Sequence, residues 1–370
     1  MQDLCIGLMS GTSLDGVDAA LVDFSGGGLR VLGHAHRPFD PALAAELLAL
    51  NTPGENELHR AALAGNALVC VYAQAVGELL SVSDTAASRV CAIGAHGQTV
   101  RHRPREFDGT GYTIQLNNPA LLAELTGIDV VADLRSRDVA AGGQGAPLVP
   151  AFHRAVFARA NETVAVMNVG GIGNLTVLHP DERTVGFDCG PGNVLMDDWC
   201  QRHGGAPFDA GGAWAASGRA DPALLAQMLA EPYFALPAPK STGRDLFNPA
   251  WLDAQLLRLS SSPRPEDVQA TLAELTASAC ASAVLRYAPE ARELLICGGG
   301  ALNRHLMRRL AAHLPAVQVQ PTDARGLPAM QVEACAFAWL ARAFCAREFG
   351  SLSAVTGASG PRVLGALYPA

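Results

Sequence analysis

The chain has 370 residues, 49% of them hydrophobic and 17% charged, so it can bury a large core and is long enough for two domains. Its formal net charge is −8 and it contains no basic run, which argues against a nucleic-acid surface. Lys240 is the only lysine, and no Gly-x-x-x-x-Gly-Lys-Ser/Thr motif includes it, which argues against a Walker A nucleotide loop.

The cysteines indicate a reducing compartment. There are nine of them, scattered and without a Cys-x-x-Cys spacing, and several lie inside apolar runs. This usage is typical of buried thiols and not of a disulfide framework or a zinc site. The first predicted strand begins at once and no run of about 18 apolar residues follows, so we expect neither a signal peptide nor a membrane span. We therefore expect a soluble cytoplasmic protein.

The first 24 residues predict a β-hairpin with a polar tip. Residues 4–9 form an apolar run, residues 10–16 are rich in glycine and hydroxyl groups, and residues 17–24 are apolar again. Glycines at the tip allow close approach of the backbone to a ligand, and the hydroxyls add donors, so the tip suits a phosphate chain. Asp15 and Asp18 would repel phosphate unless Mg²⁺ lay between them. A simple polar turn is an equally open interpretation.

Further elements follow in chain order. We predict strands over residues 30–38, 90–95, 112–116 and 128–132, and helices over residues 41–50, 56–80 and 118–126. His96, Gly97, Gln98 and Thr99 come directly after a buried strand, where α/β proteins place ligands. For His96 alone, a turn histidine with satisfied hydrogen bonds is the preferred alternative.

Residues 133–148 crowd charges and glycines together without periodicity, so we expect an irregular loop that lines a site or a domain joint. Arg135 and Arg137 are candidates to grip a carboxylate or a phosphate. The alternative is a network of Asp and Arg side chains on the surface.

The second half repeats the pattern of the first. Residues 164–168, 173–178 and 184–187 predict another meander of three strands with a glycine-rich first turn, which suggests duplication of one α/β unit. Asp188 ends the third strand just before a glycine-rich entry to a helix over residues 194–203. A carboxylate kept ionised there by the helix N-terminus is a general-base candidate, and a helix N-cap is the alternative.

The remaining chain predicts a glycine-rich loop at residues 209–218 and a polar loop at 240–248. Helices are predicted at residues 265–287 and 331–344, strands at 293–297 and 317–319, and an irregular tail at 351–370. A strand is joined to a helix that runs to residue 314 by Gly298, Gly299 and Gly300. At this glycine turn a flat ring or a phosphate can lie directly against the backbone. The spacing is not Gly-x-Gly-x-x-Gly, which disfavours a nicotinamide site.

Seven motifs together resemble the anhydro-N-acetylmuramic acid kinase family. The longest is Gly-Leu-Met-Ser-Gly-Thr-Ser-Leu-Asp-Gly-Val-Asp at residues 7–18. The other six occupy residues 95–99, 141–148, 168–174, 187–193, 240–244 and 297–303. The resemblance implies an α/β protein of the actin-like, sugar-kinase superfamily, with two ribonuclease-H-like domains around a central cleft. The expected bounds are residues 1–132 and 133–370, with the last helix or tail packing back on the first domain.

The resemblance also implies a reaction and its residues. The family uses ATP and water to open the 1,6-anhydro ring of anhydro-N-acetylmuramic acid and to phosphorylate O6, in peptidoglycan recycling. Asp188 would be the catalytic base, and Mg²⁺ and a homodimer are expected. The implied ATP site comprises Gly11, Thr12, Ser13, Leu14, Asp15, Gly16, Val17, Asp18, Gly170, Gly171, Asn174, Gly298, Gly299, Gly300 and Asn303. The implied sugar site comprises His96, Gly97, Gln98, Thr99, Arg135, Arg137, Asp138 and Glu333. Cys189 stands where the family commonly has threonine, and the metal ligands are undetermined.

Three alternatives stay open at this point. A kinase for another anhydrosugar, such as levoglucosan, would use the same base but would need no cation for a lactyl carboxylate. A sugar-sensing module without catalysis would need no base. An actin-like ATPase of assembly would show no dependence on sugar.

Overall fold

The computed structural model of the protein describes residues 3–11, 13–260 and 262–370. Its strands are β1 (Leu4–Met9), β2 (Gly16–Asp23), β3 (Arg30–Pro38), β4 (Val90–Ala95), β5 (Gln98–Pro104), β6 (Gly111–Leu116), β7 (Val130–Ala132), β8 (Val164–Val169), β9 (Ile172–Leu178), β10 (Thr184–Pro191), β11 (Glu293–Cys297), β12 (Gln318–Pro321) and β13 (Ala366–Tyr368).

The described helices range from short single turns to two long core helices. They are α1 (Pro41–Ala49), α2 (Glu57–Val82), α3 (Pro119–Thr126), α4 (Ser136–Ala140), α5 (Val149–Phe157), α6 (Val194–Gly204), α7 (Ala213–Ser217), α8 (Pro222–Leu229), α9 (Pro232–Ala235), α10 (Pro249–Leu256), α11 (Pro265–Tyr287), α12 (Arg304–His313), α13 (Val332–Cys345) and α14 (Ser353–Thr356).

The chain divides into two compact units. The first unit contains Met1–Val156 and Gln331–Ala370, and the second contains Phe157–Met330. Each unit has its own sheet and its own hydrophobic core.

The sheets of the two units have the same strand order. In the first unit the order is β13-β7-β4-β1-β2-β3, and in the second it is β10-β9-β8-β11-β12. Each begins with an antiparallel meander of three strands, and each continues with two strands that lie parallel to the first. With β13 left aside, the order in both units is 3-2-1-4-5, which is the ribonuclease-H-like arrangement. The predicted duplication of one α/β unit is therefore confirmed.

Two glycines let α13 lie directly on the first sheet. A Cβ atom on Gly7 of β1 would lie 1.8 Å from the carbonyl oxygen of Ala334, and one on Gly94 of β4 would lie 2.0 Å from that of Phe337. No larger residue fits between strand and helix at either position. The opposite face of this sheet packs on α2, where Leu68 is fully buried.

Two of the described helices, α2 and α11, are long and apolar enough on average to cross a membrane by length and composition alone. In α11, 83% of the apolar window is buried inside the protein, and the helix packs on β9 and β10. In α2 the buried share is 44%, and the helix packs on β2 and β3. Core helices of globular domains have this same composition.

The division into units differs from the expected boundary between residues 132 and 133. The segment after residue 132 continues the first unit, because Leu134 and Leu148 pack in one apolar cluster with Phe337 and Leu340 of α13. Only Phe157–Met330 forms the second unit.

Several local expectations were wrong. The tail contains β13, which pairs with β7 at the edge of the first sheet. Gln98 and Thr99 lie on β5, which forms a ribbon with β6. The segments expected to be irregular contain α4 and α7. These elements are short or polar, and long-range pairing or packing stabilises them in place of a local apolar repeat.

Candidate active site

The tip of the β1–β2 hairpin is a tight, polar turn. The Leu14 amide donates to the carbonyl of Gly11 at 3.3 Å, and Leu14 has a φ of +57°. The Ser13 hydroxyl donates to Asp15 Oδ1 at 2.7 Å, and both side chains are exposed. Gly16 must be a glycine, since its Cβ would lie 2.3 Å from the carbonyl oxygen of Arg37. The predicted residue Thr12 lies outside the described residues.

Asp18 and Val17 of β2 face opposite sides of the sheet. Val17 is fully buried in the core, so only its backbone is available to a ligand. Asp18 is half-buried, and its Oδ1 lies 3.2 Å from His34 Nε2 and 3.1 Å from His36 Nδ1. These histidines are not among the site residues predicted from the sequence, although their period-2 spacing on β3 places them on one face.

His96 and Arg135 form the centre of the polar group in the first unit. The Arg135 guanidinium donates to His96 Nε2 at distances of 3.1 and 2.9 Å, while Nη1 donates to the carbonyl of Gly145 at 2.8 Å. Burial and the Arg135 charge lower the pKa of His96 to about 3, so the ring is neutral. Since Nε2 accepts, Nδ1 carries the proton and donates to the carbonyl of Ser10 at 3.3 Å. Arg137 is exposed and does not join this group.

Burial also affects Arg135 itself. It lowers the pKa of Arg135 to about 10, and the carboxylate of Glu333 opposes that shift. Glu333 lies in the first turn of α13, where burial and the charges of Asp18 and Asp15 raise its pKa. The fold therefore brings together charged groups from three distant parts of the sequence: Asp15 and Asp18, Arg135, and Glu333.

Gly97 lies between β4 and β5, and Gln98 and Thr99 are the first residues of β5. Gly97 has a φ of +77°, and a Cβ there would lie 2.6 Å from the carbonyl oxygen of Leu116. The buried Gln98 donates from Nε2 to the carbonyl of Gly11 at 3.0 Å, whereas its Oε1 is buried without a hydrogen bond. Thr99 Oγ1 accepts from Gln115 at 3.2 Å. Gln98 Oε1 is therefore available to accept a hydrogen bond from a ligand or a water molecule.

Asp138 supports the loop that follows α4. It is fully buried, and its Oδ2 accepts from the amide of Gly145 at 2.8 Å. Its Oδ1 accepts from the hydroxyl of Thr356 at 2.8 Å. Because a Cβ on Gly143 would lie 2.1 Å from Oδ2, the loop wraps closely around this carboxylate. These bonds tie the loop to the C-terminal segment.

His102 was not singled out from the sequence. It lies on β5 with Nδ1 at 3.0 Å from Thr113 Oγ1. Burial, together with the positive charges of Arg135 and Arg103, lowers the pKa of His102 to about 4. It is thus a second neutral histidine near Arg135. Only the pairing of β5 with β6, which the sequence did not predict, places it there.

Asp188, in the second unit, sits at an irregularity of β10. It pairs with Asn174 of β9, and the register then shifts before Gly190, which is the signature of a β-bulge. Bulges often aim side chains at active sites. The Thr242 amide donates to Asp188 Oδ2 at 3.1 Å. Burial raises the pKa of Asp188, while hydrogen bonds from Thr242 and Ser241 lower it.

The N-cap interpretation of Asp188 is wrong. Helix α6 begins at Val194, and Asn193 occupies its N-cap position. The side chain of Asn193 donates to the carbonyl of Val169 at 3.0 Å. Asp188 is therefore free of a capping role, and burial, not a helix N-terminus, is the largest influence on its pKa.

Gly170 and Gly171 form the tip of the β8–β9 turn. Their carbonyl groups accept from the amides of Asn193 and Gly192 at 2.8 and 2.9 Å. The tip thereby fixes the entry to α6, immediately after the bulge that carries Asp188. Its glycines have backbone roles in the structure.

The Gly298–Gly300 turn packs against β8. A Cβ on Gly298 would lie 2.3 Å from Asn168 Oδ1, and one on Gly300 would lie 2.4 Å from Val169 Cγ1. A Cβ on Gly299 would lie 3.4 Å from Asn193 Nδ2, so this position is the least crowded. Asn303 caps α12, since its Oδ1 accepts from the amide of Leu306 at 3.0 Å. Packing alone thus requires glycine at residues 298 and 300.

A model of the family described as anhydro-N-acetylmuramic acid kinase matches residues 3–370. The chain belongs to this family.

Relatives within the anhydro-N-acetylmuramic acid kinase family match the chain over nearly its full length. The protein of that name from Variovorax paradoxus is 65% identical, covering 100% of this chain and 99% of the relative. The one from Albidiferax ferrireducens is 63% identical, covering 100% of both. The one from Chromobacterium violaceum is 54% identical, again covering 100% of both.

Solved structures of other proteins are more distant. The activator of the 2-hydroxyisocaproyl-CoA dehydratase from Clostridium difficile, with bound ADPNP, is 11% identical with a TM-score of 0.49, covering 91% of this chain and 94% of that one. A ROK hexokinase from Thermus thermophilus is 16% identical with a TM-score of 0.37, covering 91% and 98%.

Among the described residues of this family member, no group of three or more His, Cys, Asp or Glu side chains could hold a metal ion. Mg²⁺ in kinases needs only one or two carboxylates, because phosphate oxygens and waters complete its shell. Asp15 is exposed and Asp18 is half-buried with one oxygen turned to the histidines. The donor set therefore fits Mg²⁺ bound together with a nucleotide.

Proposed function

We propose that the protein is an ATP-dependent kinase that opens the 1,6-anhydro ring of anhydro-N-acetylmuramic acid with water and phosphorylates O6. The products are N-acetylmuramate 6-phosphate and ADP. The family match over residues 3–370 is the observation that carries this proposal. The half-buried carboxyl of Asp188 on its bulge supplies the base that the chemistry needs. The three relatives described above are named for this one kinase, so they favour neither another anhydrosugar nor a sensing module.

Asp188 is proposed to take a proton from water as the water oxygen bonds to the anomeric carbon. The bond between that carbon and the bridge oxygen breaks, and its electron pair stays on the bridge oxygen, which is O6. This oxygen then bonds to the γ-phosphorus of ATP, and the bond from that phosphorus to the β–γ bridging oxygen breaks. Water is too weak a nucleophile at neutral pH without a base, and burial raises the pKa of Asp188 towards a value useful for proton transfer.

The ATP side of the reaction is assigned to backbone-rich turns. The residues proposed to contact ATP are Gly11, Thr12, Ser13, Leu14, Asp15, Gly16, Val17, Asp18, Gly170, Gly171, Asn174, Gly298, Gly299, Gly300 and Asn303. Asp15 and Asp18 would hold Mg²⁺, which neutralises phosphate charge when bound. Val17 would contribute through its backbone, since its side chain is buried.

The sugar side is assigned to the polar group of the first unit, comprising His96, Gly97, Gln98, Thr99, Arg135, Arg137, Asp138 and Glu333. Within it, the half-buried Arg135 is the stronger candidate for the lactyl carboxylate, because its guanidinium already lies against the neutral His96. The exposed Arg137 is the weaker one. Asp138 would act by shaping the loop around Gly145.

A coupled assay of ADP release across a panel of sugars tests the proposal. ADP should appear with anhydro-N-acetylmuramic acid and much more slowly with levoglucosan or anhydro-N-acetylglucosamine, which lack the lactyl group. In water enriched in oxygen-18, the product should carry one oxygen-18 atom, in the hydroxyl group on the anomeric carbon. Sugar-independent ATP hydrolysis, or equal rates with all anhydrosugars, would contradict the proposal.

We further propose that the enzyme acts in the cytoplasm, in peptidoglycan recycling, as a homodimer. The scattered free cysteines support a reducing compartment. Light scattering after size-exclusion chromatography should give twice the chain mass of 38.5 kDa. A mass of one chain at micromolar concentration would contradict the homodimer without touching the kinase proposal.

A further inference from the structure

The only lysine of the chain lies in a segment that surrounds the backbone of Asp188. The segment comprises α9 and the residues that follow it, up to Thr242. We call residues 232–242 the Asp188 brace. Its sequence offers no periodicity, and the role of the polar Lys-Ser-Thr stretch is not apparent without the structure.

Hydrogen bonds from the brace reach the backbone and the side chain of Asp188. The Asp188 amide donates to the carbonyl of Lys240 at 3.1 Å, and the Tyr233 hydroxyl donates to the carbonyl of Asp188 at 2.7 Å. The Thr242 amide donates to the side-chain oxygen Oδ2 at 3.1 Å. The amide, the carbonyl and the carboxylate of the candidate base are therefore all bound by one segment.

Packing adds to these bonds. A Cβ on Gly190 would lie 2.6 Å from Cε1 of Phe234, so this ring rests directly on the strand two residues after Asp188. A bulge has lost regular ladder bonds on one side. The brace replaces them at the point where the side chain leaves the sheet.

Lys240 closes the brace on itself. Its ammonium donates to the carbonyls of Tyr233 and Phe234 at 3.0 and 3.3 Å, and it lies 4.5 Å from the centroid of the Tyr233 ring. These contacts hold the C-terminal part of the brace against α9. A hydrophobic side chain at residue 240 would lose all three.

We propose that Lys240 and Tyr233 are positioning residues that hold the Asp188 carboxylate in its reactive orientation. This inference rests on the proposed role of Asp188 as general base and adds two residues that contact Asp188 and each other. Their effect passes through the Asp188 backbone and through the Thr242 amide.

The sign of the expected pH effect follows from the groups around Asp188. From the brace these groups are Thr242, Ser241, Lys240 and Tyr233, and from its own strand the Cys189 thiol. The Thr242 amide and the Ser241 hydroxyl favour the ionised carboxyl. A loosened brace weakens both, so the Asp188 pKa rises further and activity on the acid side is lost at a higher pH.

Steady-state kinetics of the full-length variants Lys240→Met and Tyr233→Phe test the proposal against Lys240→Arg. For Lys240→Met we expect kcat to fall about tenfold or more, with KM for ATP changed less than about twofold and the acid limb of the pH profile moved up by about half a unit or more. Tyr233→Phe should also lower kcat and move the acid limb up, each by a smaller amount. Lys240→Arg should restore most of the rate, because it keeps a cationic donor.

Arg202→Met is the matched control. It also removes a cation over an aromatic ring in the second unit, since Arg202 lies 5.4 Å from the Trp199 centroid, but it touches no part of the brace. It should leave kcat and the pH profile unchanged. Each variant's melting curve separates misfolding from mispositioning, and Tyr233→Phe keeps the test open if Lys240→Met does not fold.

The outcomes separate this inference from the proposed function. If wild-type protein shows no sugar-dependent ADP release, the function fails before the variants are compared. If wild-type protein is active and both variants keep its kcat and pH profile, the positioning role is overturned and the kinase stands. A rise in KM for ATP alone would also overturn it.

Discussion

Burial acts on two aspartates that flank the glycine-rich turn after β10. Asp188 precedes the turn and Asp197 follows it on α6, and both have a raised pKa. For Asp188, desolvation raises the pKa, and hydrogen bonds from the brace oppose only part of this effect. For Asp197, the negative charges of Asp198 and Asp209 add to desolvation, while Arg244 opposes them. Burial thus raises the pKa of the proposed base, and at Asp197 it makes the ionised carboxyl a cost to stability at high pH.

Replacing the candidate base tests the chemistry at the scale of one residue. In Asp188→Asn, the amide keeps the shape and the hydrogen bond from Thr242 but cannot take a proton. We expect kcat to fall by roughly 10²–10⁴. Affinity for ATP, measured by calorimetric titration, should change little. Turnover close to that of the wild type would contradict the mechanism.

Asp197 predicts a pH-dependent stability. Its pKa is about 7 in the folded protein against an ordinary value of 3.8, so the folded state favours the protonated carboxyl, and its contribution to stability is lost as pH rises towards about 7. Asp197→Asn should therefore stabilise the protein at pH 8 by on the order of 1–2 kcal/mol after allowance for solvent screening, and by less at pH 5.

Thermal melting at the two pH values measures this difference. The exposed Glu182→Gln, in the same unit, is the matched control and should show no gain that depends on pH. An equal gain for Asp197→Asn at both pH values would mean that packing, not ionisation, is responsible.

At the scale of elements, long apolar segments were predictable and short polar ones were not. The bounds predicted for β1, β4, α11 and β11 agree with the structure. In contrast, β5 has the sequence Gln-Thr-Val-Arg-His-Arg-Pro, and only its pairing with β6 makes it a strand. Elements of this second kind depend on a partner distant in sequence, so local periodicity carries no signal for them.

The candidate site divides in the same way. Asp188, His96 and Arg135 could be singled out because, in the sequence, each directly follows a predicted strand or lies in a charged loop. His34, His36 and His102 could not, since their contacts with Asp18 and Thr113 arise from strand register. The Asp188 brace could not be predicted either. Its contacts with β10 come from Tyr233 and Thr242, which lie 45 and 54 residues after Asp188 in the sequence.

The glycines beneath α13 give a prediction for the helix–sheet contact. Gly94→Ala places a methyl group 2.0 Å from the carbonyl oxygen of Phe337, so strand or helix must move. We expect destabilisation of about 3 kcal/mol or more in urea unfolding. Gly77→Ala on α2 is the control: nothing lies within 4 Å of its Cβ, and it should stabilise by about 0.5–1 kcal/mol. Similar effects of the two changes would contradict the close packing of α13.

At the scale of the whole molecule, duplication of one strand order explains why both candidate groups lie after the strands that follow a meander. His96 comes directly after β4 of the first unit, and Gly298 directly after β11 of the second; both strands lie fourth in the common order. Sequence pattern revealed the duplication through the two meanders. It did not reveal where one unit ends, because in the sequence the whole second unit lies between α13 and the strands of its own sheet.

The bounds of the two units predict how fragments of the chain should behave. A fragment of residues 157–330 retains a complete five-stranded sheet and its own core, so it should be monomeric and unfold cooperatively. A fragment of residues 133–370 also carries α13, whose buried face, with Phe337 and Leu340, would be without the strands it packs on. That fragment should associate or aggregate. Circular dichroism melts and size-exclusion chromatography distinguish the two. Cooperative, monomeric behaviour of 133–370 together with aggregation of 157–330 would restore the boundary between residues 132 and 133.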